Sequence, residues 1–73
     1  MTVVDSTITI VVNGEPRALT CGTTARALLE SLGLDGRPVA VEINESVVPR
    51  ARLGGHMLQE GDRLEIVTLV GGG

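Results

Sequence analysis

The sequence predicts an α+β domain: a mixed sheet of four to five strands with one main helix packed on one face. Three observations carry this. Residues 7–12, "TITIVV", alternate and run into Asn13-Gly14. Ala25, Leu28, Leu29 and Leu32 repeat at i, i+3, i+4 and i+7. Two or three further alternating runs follow that stripe, so strands flank a single helix.

In the first run Ile8, Ile10 and Val12 share one face and Thr7, Thr9 and Val11 the other, the pattern of a half-buried strand. Asn-Gly suits a type I′ hairpin turn, where both central residues need positive φ. "EPRALT" is then the return strand. Pro16 has no N–H to give on its outer side, which places this strand at a sheet edge. Thr23 or Thr24 is positioned to cap the helix, and Gly33 to end it as the C′ residue. Arg26 and Glu30 pair at i, i+4 on the outer face, in the weaker orientation. Burying the three leucines contributes about 5–8 kcal/mol before entropy is counted. After a loop at Asp35-Gly36, "PVAVEIN" aligns Val39, Val41 and Ile43. "NES" turns the chain, "VV" makes a short strand, and Pro49 ends it. "RARLGGHML" reads as irregular, with at most one helical turn. "QEGD" turns into the last strand, "RLEIVTLV", with Leu64 and Ile66 toward the helix and Glu65, Val67 and Leu69 toward the open side. Hairpin, helix, further strands: this is the succession of the β-grasp, or ubiquitin-like, fold. Residues 1–6 read as a short leader, 7–70 as the β-grasp domain and 71–73 as a flexible C-terminal glycine tail.

A chain of 73 residues makes one domain. It buries only about 60–65% of the surface its unfolded form exposes, so a deep catalytic cleft is not expected. The apolar fraction is 42%, yet Phe, Tyr and Trp are absent, so the core is aliphatic. Single-stranded nucleic-acid binding relies on aromatic platforms that this chain lacks. Its net charge of −3 and scattered basic residues give no footprint for phosphate backbones. No apolar run reaches the length of a membrane span, and "MTVVDST" lacks the basic start and apolar stretch of a secretory signal. A cytoplasmic monomer is expected, with neither nucleic acid nor membrane as partner.

No side-chain constellation points to catalysis. His56 stands without a nearby carboxylate, which suits a surface or packing residue better than a general base. Cys21 has no disulfide partner and reads as a small buried or half-buried hydrophobe; a thiolate favoured by the following helix N-terminus is the sharper alternative. Spacings for a zinc site are missing, so no metal and no bound cofactor are expected. Glu60 and Asp62 are accounted for by turn chemistry. All six basic residues are arginines, so the chain offers no lysine amine.

The tail is different. Gly71, Gly72 and Gly73 reach about 10 Å past the last strand. Without Cβ atoms, such a thread enters a narrow tunnel and takes conformations other residues avoid. What it delivers is the α-carboxylate of Gly73. A carboxylate becomes an acyl donor once an ATP-using partner has converted it to an acyl-adenylate. The alternative is an ordinary frayed terminus.

"VAVEINESVVPR" at 39–50, "HMLQEGDRLEIV" at 56–67 and the closing "VGGG" resemble the ThiS family, sulfur carriers of thiamine thiazole biosynthesis. "VNGEP" and "GTTARALLESLG" resemble that family's earlier parts, so the likeness covers about residues 8–73. It implies that Gly73 is adenylated by a ThiF-like enzyme using Mg-ATP. A cysteine desulfurase persulfide then supplies sulfur, giving a thiocarboxylate, and the thiazole synthase ThiG accepts it. With glycine already at the end, no protease step is expected. The carrier is a co-substrate rather than a catalyst. Val67 and Leu69 are the expected partner surface.

Other readings stay open on the sequence. The MoaD carriers of molybdopterin synthesis share fold and chemistry but are usually longer and lack the "VVPR" stretch. A ubiquitin-like tag would join Gly73 to target lysines, and a plain β-grasp adaptor would not use the tail.

Overall fold

In the computed structural model, which describes residues 6–69, the first hairpin closes as the alternation requires. β1 (Thr7–Val12) and β2 (Glu15–Thr20) pair antiparallel around Asn13 and Gly14, at φ +50° and +85°. Both angles lie in the left-handed region, where Asn and Gly are tolerated. Val12 opposes Glu15 and closes the turn, so the next pair, Val11 and Pro16, is a non-bonded one. The missing N–H of Pro16 therefore faces outward, and β2 is an edge strand.

Helix α1 (Ala25–Ser31) is capped by Thr24, whose Oγ1 accepts the N–H of Ala27 at 3.1 Å. Thr23 instead donates its hydroxyl to the carbonyl of Thr20 at 2.7 Å. The helix ends in a Schellman motif. Gly33, at φ +74°, donates to Glu30, and Leu34 donates to Leu29. Ala25, Leu28 and Leu29 are buried, Leu32 is half-buried, and Arg26 stands outside, 3.6 Å from Glu30 and 3.7 Å from Asp35.

β3 (Val39–Ile43) turns through Asn44 and Glu45 into β4 (Ser46–Val47). The turn is one residue shorter than "NES", and the short strand is Ser46–Val47 rather than the two valines. Both turn residues have positive φ, the geometry a two-residue hairpin demands. A 3-10 helix (Arg50–Gly55) buries Leu53, and β5 (Arg63–Thr68) follows.

The five strands lie in the order β2-β1-β5-β3-β4. β1 and β5 run parallel at the centre; the other neighbours are antiparallel. The helix covers one face, over the inward side chains of β1 (Ile8, Ile10, Val12), β3 (Val41, Ile43) and β5 (Leu64, Ile66), with Leu53 and Leu58 closing the layer. The fold is a β-grasp. The expected leader, except for Ser6, and the expected tail lie outside the described residues. The carbonyl of Ser6 accepts the N–H of Cys21 at 2.6 Å. Among the described residues no helix is long and apolar enough to cross a membrane.

Candidate functional site

The site is built around the end of β5, where the described chain leads toward the glycines. Leu64 and Ile66 are buried under the helix, so the alternate residues Arg63, Glu65, Val67 and Leu69 stand on the open face. Val67 is 54% and Leu69 51% exposed. Strand parity is observed for these two: both are large apolar side chains on the uncovered face, just before Val70 and the glycines in sequence. Leu69 extends the pairing with β3 by donating its N–H to the carbonyl of Pro38 at 2.8 Å. Arg37, Pro38, Thr68 and Leu69 line an open depression at this end. Gly71, Gly72 and Gly73 lie outside the described residues.

The register shows which way the main chain of β5 points. Leu69 bonds to Pro38 and Asn44 to Arg63, so the odd-numbered residues of β5 exchange bonds with β3. The even-numbered ones turn toward β1. There the N–H of Asn13 reaches the carbonyl of Leu64 at 2.8 Å, and the chain then leaves β1 through the turn. The side chain of Asn13 takes over the next rung. Its Oδ1 accepts the N–H of Ile66 at 2.8 Å, and its Nδ2 donates to the carbonyl of Ile66 at 3.1 Å. The hairpin turn is thus fastened beside the C-terminal half of β5. The Asn-Gly signal foretold the turn; nothing in the sequence announced this second use of Asn13.

At the other end of the open face the surface is acidic. Glu42 and Glu65 are direct partners across β3 and β5, and both are exposed. With Asn44, Glu45 and Arg63 they line a second open depression. Val47, opposite Glu42 on β4, is 69% exposed on the same face. The open face therefore carries carboxylates around the start of β5, with Val47 among them, and the apolar Val67 and Leu69 toward the end of the described strand.

The other residues singled out by the sequence are placed away from this end. Cys21 is exposed, which corrects the expectation of a buried or half-buried hydrophobe. It lies past the end of the edge strand β2, in the turn with Gly22 (φ +98°), where no neighbouring layer covers it. His56 is half-buried, and its main chain supports the helix. The His56 carbonyl accepts the N–H of Ala25, the first helical residue, at 2.9 Å. Leu58 donates to Thr23 at 2.9 Å and is buried, so residues 56–58 seat the helix start. Among the described residues no group of three or more His, Cys, Asp or Glu is arranged to hold a metal ion.

The profile of the ThiS family matches residues 10–73. The chain belongs to the ThiS family. It is 39% identical over 61 residues to the sulfur carrier protein ThiS of Thermus thermophilus, covering 84% of this chain and 94% of that one. The crystal structure of the thiamine biosynthesis protein ThiS from Geobacter metallireducens superimposes with a TM-score of 0.77 at 28% identity. It covers 90% of this chain and all of its own. A thiazole synthase of Paramagnetospirillum magneticum is 45% identical over 64 residues, 88% of this chain but 20% of that protein. The chain spans about a fifth of the length of the thiazole synthases it matches.

Proposed function

We propose that this ThiS-family chain carries sulfur as a thiocarboxylate on Gly73 for assembly of the thiazole of thiamine. The observation that carries the reading is the extent of the family match, residues 10–73, which reaches from the first strand through the glycines. The kinship with thiazole synthases supports the choice of pathway, since a ThiS-like stretch is joined there to the enzyme that would consume the sulfur.

The chemistry falls on the tail, with the domain as its handle. A carboxylate oxygen of Gly73 attacks the α-phosphorus of ATP on a ThiF-like enzyme; pyrophosphate leaves and an acyl-adenylate forms. The terminal sulfur of a persulfide, made by a cysteine desulfurase, attacks the acyl carbon and AMP leaves. A second thiol then takes the inner sulfur into a disulfide, and the thiocarboxylate is released. Mg-ATP belongs to the activating enzyme. The exposed Val67 and Leu69, next to the tail, are the surface by which the activating enzyme and the thiazole synthase hold the carrier.

The test is growth. In a bacterium lacking its own carrier, the chain restores growth without thiamine, and the same chain without Gly73 does not. Restoration by the shortened chain would sink the carrier reading. A ladder of conjugates on target lysines would favour the protein-tag reading instead.

A further inference from the structure

The end of β5 has one main-chain rung that no part of the described domain uses. β1 stops at Val12, and Asn13 covers the rung at Ile66 with its side chain. The next rung on that side is Thr68. Thr68 opposes Val39 at a non-hydrogen-bonded position of the β3–β5 ladder, so its N–H and C=O point away from β3. They face the side that β1 has vacated. Among the described residues none bonds to either group, and Thr68 is exposed.

The two edges of this sheet end are treated differently. On β2 the outward rung near the turn falls on Pro16, which has no N–H and so blunts that edge. On β5 the corresponding groups of Thr68 are both available, with the exposed Val67 and Leu69 on either side of it in sequence. A donor and an acceptor lying along a strand are matched best by another extended main chain.

We propose that Thr68 is a strand-addition site: the protein that receives the tail lays one extended segment of its own along this edge, exchanging main-chain hydrogen bonds with Thr68. This rests on the carrier reading. The added strand holds the end of β5 against the partner. It also places a side chain of the partner beside Val67 or Leu69. The site is short, because the Asn13 side chain closes the rung before it, and that shortness limits pairing between copies of the chain.

The experiment uses the full chain and its cognate thiazole synthase. Replacing the Thr68 amide by an ester removes its N–H and leaves the Val67 carbonyl in place as a weaker acceptor opposite Ala40, and assembly by ligation at the sole cysteine, Cys21, gives access to that variant. The N–H is not used inside the described domain, so the remaining amide spectrum stays that of the folded chain. Binding to the synthase weakens about tenfold, the loss of one interfacial hydrogen bond. Thr68→Ser, which keeps the N–H, binds like the parent. In the unmodified chain, hydrogen exchange at Thr68 is fast when free and slowed by more than about tenfold in the complex. Equal binding of the ester variant, or unslowed exchange at Thr68 in the complex, overturns strand addition while leaving the carrier reading standing. Failure of the parent chain to bind the synthase overturns both.

Discussion

The side-chain amide of Asn13 makes both main-chain hydrogen bonds of Ile66, accepting at 2.8 Å and donating at 3.1 Å across 53 positions of sequence. One residue thereby does two jobs. Its backbone, at φ +50°, turns the first hairpin, and its side chain prolongs the central parallel ladder by one rung. The second job stiffens the strand that leads to the tail. Asn13→Gly keeps the turn but loses both bonds, and costs about 1–2 kcal/mol in urea unfolding. Asn13→Ala adds the cost of a Cβ at positive φ and loses about 1 kcal/mol more. Equal stability of the parent and the Gly variant would show that the side-chain bonds contribute nothing.

The facing carboxylates of Glu42 and Glu65 work against the fold. Like charges directly opposed on neighbouring strands repel. Glu65→Thr is expected to stabilise the chain by about 0.5 kcal/mol, a gain that shrinks as salt screens the parent's repulsion. A loss of stability in the Thr variant at low salt would contradict this.

Thr24, and not Thr23, holds the helix start through its side chain. Thr24→Ala should cost about 1 kcal/mol, because the N–H of Ala27 loses its acceptor. Thr23→Ala leaves that N–H satisfied and should cost less. Urea midpoints of the two variants in the opposite order would contradict the assignment.

Val67→Asp places a charge on the open face, where the parent side chain is 54% exposed. The folded spectrum is expected to persist while affinity for the activating enzyme falls at least about tenfold, since the substitution breaks an apolar contact patch. Unfolding of the variant would put Val67 in the core, and unchanged affinity would free this face from partner binding.

What the sequence revealed and what it hid divide along the range of the interactions. Periodicity within a segment settled the inward faces of β1, α1, β3 and β5, because burial follows from alternation or a 3.6-residue repeat alone. The helix stop at Gly33 and the turn at Asn13-Gly14 were visible because positive φ selects few residue types. Glu45, at φ +72°, carries no such signature, so the sequence reads the second turn as one residue too long. The exposure of Cys21 depended on where β2 ends and on the absence of a covering layer there, which composition does not encode. The Asn13–Ile66 bonds, the Glu42–Glu65 opposition and the vacant rung at Thr68 all require the sheet register between distant strands. At the site, Val67 and Leu69 followed from strand parity alone.

Whether sulfur travels on Gly73 is tested most directly by the intact mass of the chain after incubation with the activating enzyme, Mg-ATP, a cysteine desulfurase and cysteine. Fragmentation then locates the change. Replacement of one oxygen by sulfur is expected in the C-terminal fragment holding Gly73, undiminished in Cys21→Ser. Sulfur added at the exposed Cys21, with the fragment at Gly73 unchanged, would contradict the carrier reading.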